Sequence, residues 1–205
     1  MPKVDFKKEL KQLYRPSAKQ FDVVDVPEMN FLMVDGHGNP NIEQTYGEAV
    51  EALYAVAYKI KFMSKKRLDQ DYVVPPLEGL WWALDMDAFV TGQKDDWDWT
   101  MMIMQPKWIT SEMFEEGSAL AKKAKNPPAL PNMRLQNYHE GLSIQIMHLG
   151  PYDDEAPTLA ILHNEFIPEN NFTMSGKHHE IYLSDPRKVK PEKLKTILRQ
   201  PVKRS

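Results

Sequence analysis

The chain contains no cysteine, which removes disulfides, thiol nucleophiles, thiolate metal centres and iron–sulfur clusters at one stroke. It also lacks any apolar run long enough to cross a bilayer, and its first residues carry nothing like a secretory leader, so the expected location is the cytoplasm, with no membrane partner. Neither sign of charge predominates. With 26 basic and 29 acidic residues and a net charge of −3, no concentrated basic face is available for phosphate, and no nucleic-acid partner is expected. The basic group Lys59, Lys61, Lys65, Lys66 and Arg67 reads as a solvated helix end. Phosphate loops, dinucleotide fingerprints and nucleophile elbows are missing too: Asp35-Gly36-His37-Gly38 has two glycines and no third at the required spacing. Metal is not expected, because adjacent His178 and His179 point to opposite faces of a strand and no His-Glu-x-x-His helix occurs. No cofactor is called for.

What the chain does have is aromatic side chains: 5 Trp, 8 Tyr and 8 Phe in 205 residues. The tryptophans bunch at Trp81, Trp82, Trp97, Trp99 and Trp108, too locally for core packing alone, so some are expected to line a surface. The length suits one domain over 1–205 made of two similar halves, about 20–125 and 132–200, joined by the proline-rich Asn126–Pro131.

Periodicity predicts strands over Phe21–Val26, Asn30–Gly36, Tyr72–Leu84, Trp99–Gln105, Met133–Gly141, Leu142–Leu149 and Lys177–Ser184. Helices are predicted from Ile42 to Met63, after a Thr110 or Ser111 cap to Ala124, over Asp154–Ile167, and in a tail from Pro191 through Leu194, Ile197 and Leu198, stopped before Pro201. An acidic hairpin loop spans Asp85–Asp98. This order suits an α+β fold: an antiparallel sheet with helices on one face and a central ligand cleft.

One unit recurs. Phe31-Leu-Met-Val-Asp-Gly36, a helix, then Leu77-Glu78-Gly-Leu-Trp81 is echoed by Ile144-Gln-Ile-Met-His-Leu-Gly150, a shorter helix, then His179-Glu180-Ile-Tyr182. Two copies about a pseudo-twofold axis would aim both glutamates at the cleft. In His178-His179-Glu180-Ile181-Tyr182-Leu183, alternation puts Glu180 and Tyr182 on one face and Ile181 and Leu183 on the other. If the Ile and Leu face is the core, Glu180 meets the ligand as a general acid or base, or as the counter-charge of a cation; a solvated strand carboxylate is the competing reading. Glu78 holds the related place beside Pro75 and Pro76. Trp81, Trp108, Tyr46, Tyr54, Tyr72, Tyr152 and Tyr182 are candidate wall residues for a flat or cationic ligand. His148 joins that wall, although His148 and His163, lone histidines in apolar patterns, also read as satisfied core or rim groups, with a haem ligand as the weaker alternative.

The doubled unit, Met33-Val-Asp-Gly-His-Gly-Asn-Pro40, Pro75-Pro-Leu-Glu-Gly-Leu-Trp-Trp82, and the tail His179-Glu-Ile-Tyr-Leu-Ser-Asp-Pro-Arg-Lys188 with Leu194-Lys-Thr-Ile-Leu-Arg-Gln-Pro201 resemble stand-alone GyrI-like small-molecule-binding proteins. The resemblance covers nearly the whole chain. It implies a SOUL-type fold of two related halves that binds hydrophobic, often planar or cationic molecules. Fused relatives are the drug-sensing part of transcription activators, but no helix-turn-helix precedes Phe21. Some stand-alone relatives are cyclopropane hydrolases that detoxify DNA-alkylating natural products. Transferred to this chain, that implies Glu180 activating water, Tyr152 or Tyr182 assisting, and tryptophans holding the ligand. The alternative is a non-catalytic drug-sequestering or topoisomerase-interacting protein, its partner contact at Asp95–Trp99.

Overall fold

A computed structural model describes residues 3–83 and 94–205. In chain order its elements are α1 (Phe6–Glu9), α2 (Lys11–Tyr14), β1 (Asp22–Val26), β2 (Met29–His37), α3 (Gln44–Leu68), β3 (Leu77–Trp82), β4 (Asp98–Gln105), α4 (Ser111–Ala124), β5 (Arg134–Tyr138), β6 (Gly141–Leu149), α5 (Ala156–Ile161), a π-helical turn (Leu162–Phe166), α6 (Ile167–Glu169), β7 (Phe172–Met174), β8 (His178–Tyr182) and β9 (Lys195–Arg204). The fold is α+β and its strands pair antiparallel. Most of the expected acidic hairpin loop lies outside the described residues; its end, Lys94–Asp96, is a 3₁₀ turn leading into β4.

The chain forms two compact units. One takes the described residues up to Glu9 together with Met29–Tyr138, the other Leu10–Glu28 together with His139–Ser205. In the first unit the strands run β3-β4-β2-β5. α3 lies over β2 and β4, and α4 packs along α3. Thr110 caps α4 by accepting a hydrogen bond from the Met113 amide, a contact whose loss costs ~1 kcal/mol. Gly117 permits the close helix approach, since a Cβ there would stand 2.8 Å from Ile60 Cγ1.

Register fixes which side chains share a face. Trp81, Trp99 and Gly36 sit in one row across β3, β4 and β2, and Tyr46 from the first turn of α3 packs on both tryptophans. This is therefore the helix-bearing face. Gly36 is required there, because the Trp99 ring occupies the space of a side chain: a Cβ would lie 2.1 Å from Trp99 Cη2. The predicted strand from Tyr72 forms a ladder only from Leu77. Tyr72 itself makes an isolated bridge with Val4, and the intervening Pro75 and Pro76 lack the amide hydrogens a ladder needs.

In the second unit the strands run β1-β6-β9-β8, with β7 also on β9. The predicted tail helix is not formed: after a 3₁₀ turn at Pro191–Lys193, residues 195–204 are strand β9. Ile197 and Leu198 looked like one helical stripe, but Thr196 to Val202 are all buried in a strand whose backbone pairs with β6 and β8. Pro201 is tolerated because pairing with β8 ends at Arg199 and pairing with β7 begins at Val202, so no donor is demanded of it on that side. Ile144 of β6 and Val202 of β9 form a core with Leu162, Ile167 and Phe172, which places the helical segment 156–169 on their face of the sheet.

Candidate functional site

The second unit carries the Glu180 cluster. Two rows cross β6, β9 and β8, namely His148, Thr196 and Tyr182, and Ile146, Leu198 and Glu180, while a third, Ile144 and Gln200, joins β6 and β9. His178, two residues before Glu180, points to the same side. Ile144 belongs to the core beneath the helical segment, so Glu180 is on the helix-bearing face. The face of Ile181 and Ile197 is the opposite one. The alternation read from the sequence is present, and both faces of this strand are lined by buried residues.

Glu180 is mostly buried, its side chain 16% exposed. Tyr182 donates its hydroxyl hydrogen to Glu180 Oε2 at 2.8 Å. On the other oxygen, His178 Nε2 stands 3.4 Å from Oε1 but lacks hydrogen-bond alignment. Tyr152, in a 3₁₀ turn before α5, sets its ring edge-on to Tyr182 at 5.7 Å. Burial, followed by the charges of Glu155, Glu180 and Asp185, pushes the Tyr152 phenol up to about 12, so it is a neutral donor at physiological pH. His148 fixes this turn: its Nε2 donates to the Pro151 carbonyl at 2.9 Å. Gly150, at φ +136°, makes the turn possible.

On the opposite face lies a buried ionic network. His179 Nδ1 donates to Glu140 at 2.9 Å, and Arg199 donates to Glu140 Oε2 at 3.0 Å, to Gln145 Oε1 at 3.0 Å and to the Leu13 carbonyl at 2.8 Å. Gln145 Nε2 donates to the Gln12 carbonyl at 2.6 Å. Burial opposes ionisation of Glu140, but His179 and Arg199 outweigh it and hold its carboxyl at about 2. Through the Leu13 and Gln12 carbonyls this network ties α2 to the sheet.

The remaining candidates belong to the first unit. All of the tryptophans are there. Tyr46 and Trp81 stack on each other at 6.2 Å. Tyr72 and Trp108 form a separate grouping with Phe6; the Tyr72 phenol, pushed up by burial, donates to Gln105 Oε1 at 3.4 Å, and Trp108 Nε1 donates to Ser64 at 2.9 Å. Both have core partners. Tyr54 stacks on Tyr58 along α3. Glu78 is fully buried in a row with Met102 and Met33, on the face away from α3.

The two units therefore match with a one-residue offset that the repeated glutamate hid. Gly36, Trp99 and Trp81 occupy the row that His148, Thr196 and Tyr182 occupy in the second unit, and Tyr46 packs on Trp81, stacked, where Tyr152 packs on Tyr182, edge-on. Two residues before Trp81 is Gly79; two before Tyr182 is Glu180. The counterpart of Glu180 is thus Gly79, over which the Trp81 indole leans, since a Cβ there would lie 2.8 Å from Trp81 Nε1. Glu78 corresponds to His179. His178, Thr196 and Gln200 were missed as members of the Glu180 cluster. The same alternation that paired Glu180 with Tyr182 already places His178 beside them.

Among the described residues no group of three or more His, Cys, Asp or Glu could hold a metal, and no helix is long and apolar enough to cross a membrane. A comparison with curated proteins finds no match. Among solved structures, the chain is similar to an uncharacterized conserved protein from Listeria innocua (46% identity, TM-score 0.89, 98% of this chain and 100% of that one). It is also similar to a hydrolase from the same organism (45%, TM-score 0.83, with the same coverage). The EcmrR C-terminal domain, at 11% identity and TM-score 0.58 over 91% of this chain and 98% of that one, shares the fold. Residues 19–203 match the GyrI-like small molecule binding domain, and the chain belongs to that family.

Proposed function

We propose that the protein is a hydrolase that opens the strained ring of cyclopropane-bearing, DNA-alkylating compounds, with Glu180 as general base and Tyr152 as its partner acid. The observation that carries this reading is the Tyr182 hydrogen bond to Glu180 Oε2, with Tyr152 edge-on to the same tyrosine. One carboxylate oxygen is held in place, and the other is left to accept a proton. The 45% identity to a hydrolase supports the reaction class, and the family supports a small-molecule ligand.

The step balances without a cofactor. Water oxygen bonds to a ring carbon while Glu180 takes one water proton. The ring C–C bond breaks, and its electron pair flows into a conjugated carbonyl. Tyr152, neutral at physiological pH, supplies the proton that the resulting oxyanion needs, and Glu180 returns one to the tyrosinate through solvent. A positioned base of this kind contributes ~10²–10⁴-fold. Incubation with a cyclopropane-bearing conjugated ketone, followed by mass spectrometry, should show addition of one water. Glu180→Gln should lose nearly all turnover; unchanged turnover in that variant would refute the reading.

A further inference from the structure

Beside Glu180 lies a group of buried polar atoms that the proposed chemistry does not use. His178 Nδ1 and Nε2, His163 Nε2, Thr196 Oγ1 and Gln200 Oε1 are all shielded from solvent without a hydrogen-bond partner. Buried polar groups are nearly always paired, and each exception costs enough to call for a reason. His178 is 6% exposed. The π-helical turn at Leu162–Phe166, an irregularity often found at functional sites, carries His163, whose ring stands edge-on to His178 at 6.5 Å. Gln200 approaches His163 without hydrogen-bond alignment.

Of these orphaned atoms Gln200 Oε1 accepts, Thr196 Oγ1 can donate or accept, and His163 Nε2 accepts when the ring carries its hydrogen on Nδ1. A neutral His178 offers one N–H; the doubly protonated ring offers two. The His178 ring has the Glu180 carboxylate 3.4 Å from Nε2 and the His163 ring 6.5 Å away, and neither of its nitrogens is committed to a hydrogen bond. A neutral imidazole keeps one ring nitrogen able to accept a proton. The nearest source is Glu180 Oε1, 3.4 Å from Nε2.

We infer that His178 is the second base of the Glu180 site and relays the proton that the carboxylate takes from water. The inference rests on the reading of Glu180 as general base. In the relay the Oε1–H bond of the protonated carboxyl breaks and an Nε2–H bond forms on His178; the imidazolium later hands that proton back to Glu180 Oε1, which returns it through solvent to the tyrosinate left at Tyr152, restoring all three groups. His163 backs the ring as a neutral neighbour: burial, and then the charge of His178, hold it down at about 4. The ionisable groups beside His178 are Glu180 on its own strand, 3.4 Å from Nε2, and His163 from the helical segment, its ring 6.5 Å away.

Steady-state kinetics on a cyclopropane-bearing conjugated ketone, with circular dichroism to confirm folding, tests the relay. His178→Gln should lower kcat ~10-fold or more and flatten the acid limb of its pH profile, with KM within about twofold. Wild-type kcat and profile in His178→Gln, with Glu180→Gln inactive, would overturn the relay and leave the general base standing. Full turnover in Glu180→Gln would overturn both. A second measurement needs neither substrate nor a His178 variant. The proton NMR spectrum of ¹⁵N-histidine-labelled protein should show a downfield imidazole N–H signal that moves in Glu180→Gln; an identical signal in both proteins would rule the pair out.

Discussion

Tyr182 and Glu180 are two residues apart on one strand, and the hydroxyl of the first fixes the carboxylate of the second. Tyr182→Phe keeps the ring and its packing on Tyr152 but removes the donor. A hydrogen bond to an ionised carboxylate is worth ~1.5–3 kcal/mol, so turnover should fall by roughly 10- to 100-fold with little change in thermal midpoint. Across the strand, Glu140 governs stability. Its carboxyl titrates at about 2 in the fold against an ordinary value of 4.5. The folded protein thus holds fewer protons than the unfolded chain between these values, and the stabilisation present above pH 4.5 drains away as pH falls towards 2. His163 acts in a higher window. Its folded value of about 4 lies below the ordinary 6.5, so the unfolded chain takes the proton first, and stability falls as pH drops from 6.5 to 4. Urea midpoints against pH should show both slopes. The upper should flatten in His163→Phe and the lower in Glu140→Gln, which should also cost ~3–5 kcal/mol by leaving Arg199 buried without its counter-charge.

At the scale of elements, the row Gly36, Trp99 and Trp81 shows how closely α3 depends on one missing side chain. Gly36→Ala would drive a methyl group into the Trp99 ring. An overpacked core of this kind loses ~1–3 kcal/mol. The double variant Gly36→Ala with Trp99→Leu should recover part of that loss in a denaturant titration, whereas a backbone cause would give no recovery. Most helices and strands were legible in the sequence because their apolar spacing survives folding: α3, α4, β2, β4 and β6 lie where periodicity predicts. β9 was not. Its adjacent Ile197 and Leu198 are buried on opposite faces, and Arg199 and Gln200 are polar residues inside a sheet, so neither strand alternation nor core composition announces it. The site was half legible for a related reason. Alternation is local and found Glu180 with Tyr182, while the rows joining them to His148, Thr196 and Gln200 depend on cross-strand register.

For the whole molecule, the division into units does not follow the chain. Residues 10–28 belong with 139–205, and the bonds holding them are specific: β1 along β6, Arg199 to the Leu13 carbonyl and Gln145 to the Gln12 carbonyl. A chain beginning at Met29 should keep residues 29–138 resistant to limited proteolysis while 139–205 becomes susceptible. Equal protection of both segments would contradict this. During synthesis the same arrangement imposes a wait. β1 leaves the ribosome long before β6, its neighbour, exists, and at ~5–20 residues per second the interval is on the order of 10 s. Throughout that time the nascent chain carries an unmatched sheet edge ahead of a unit that is already able to fold. Asp22 and Asp25 put charge on that waiting edge, a feature that discourages premature pairing with other chains.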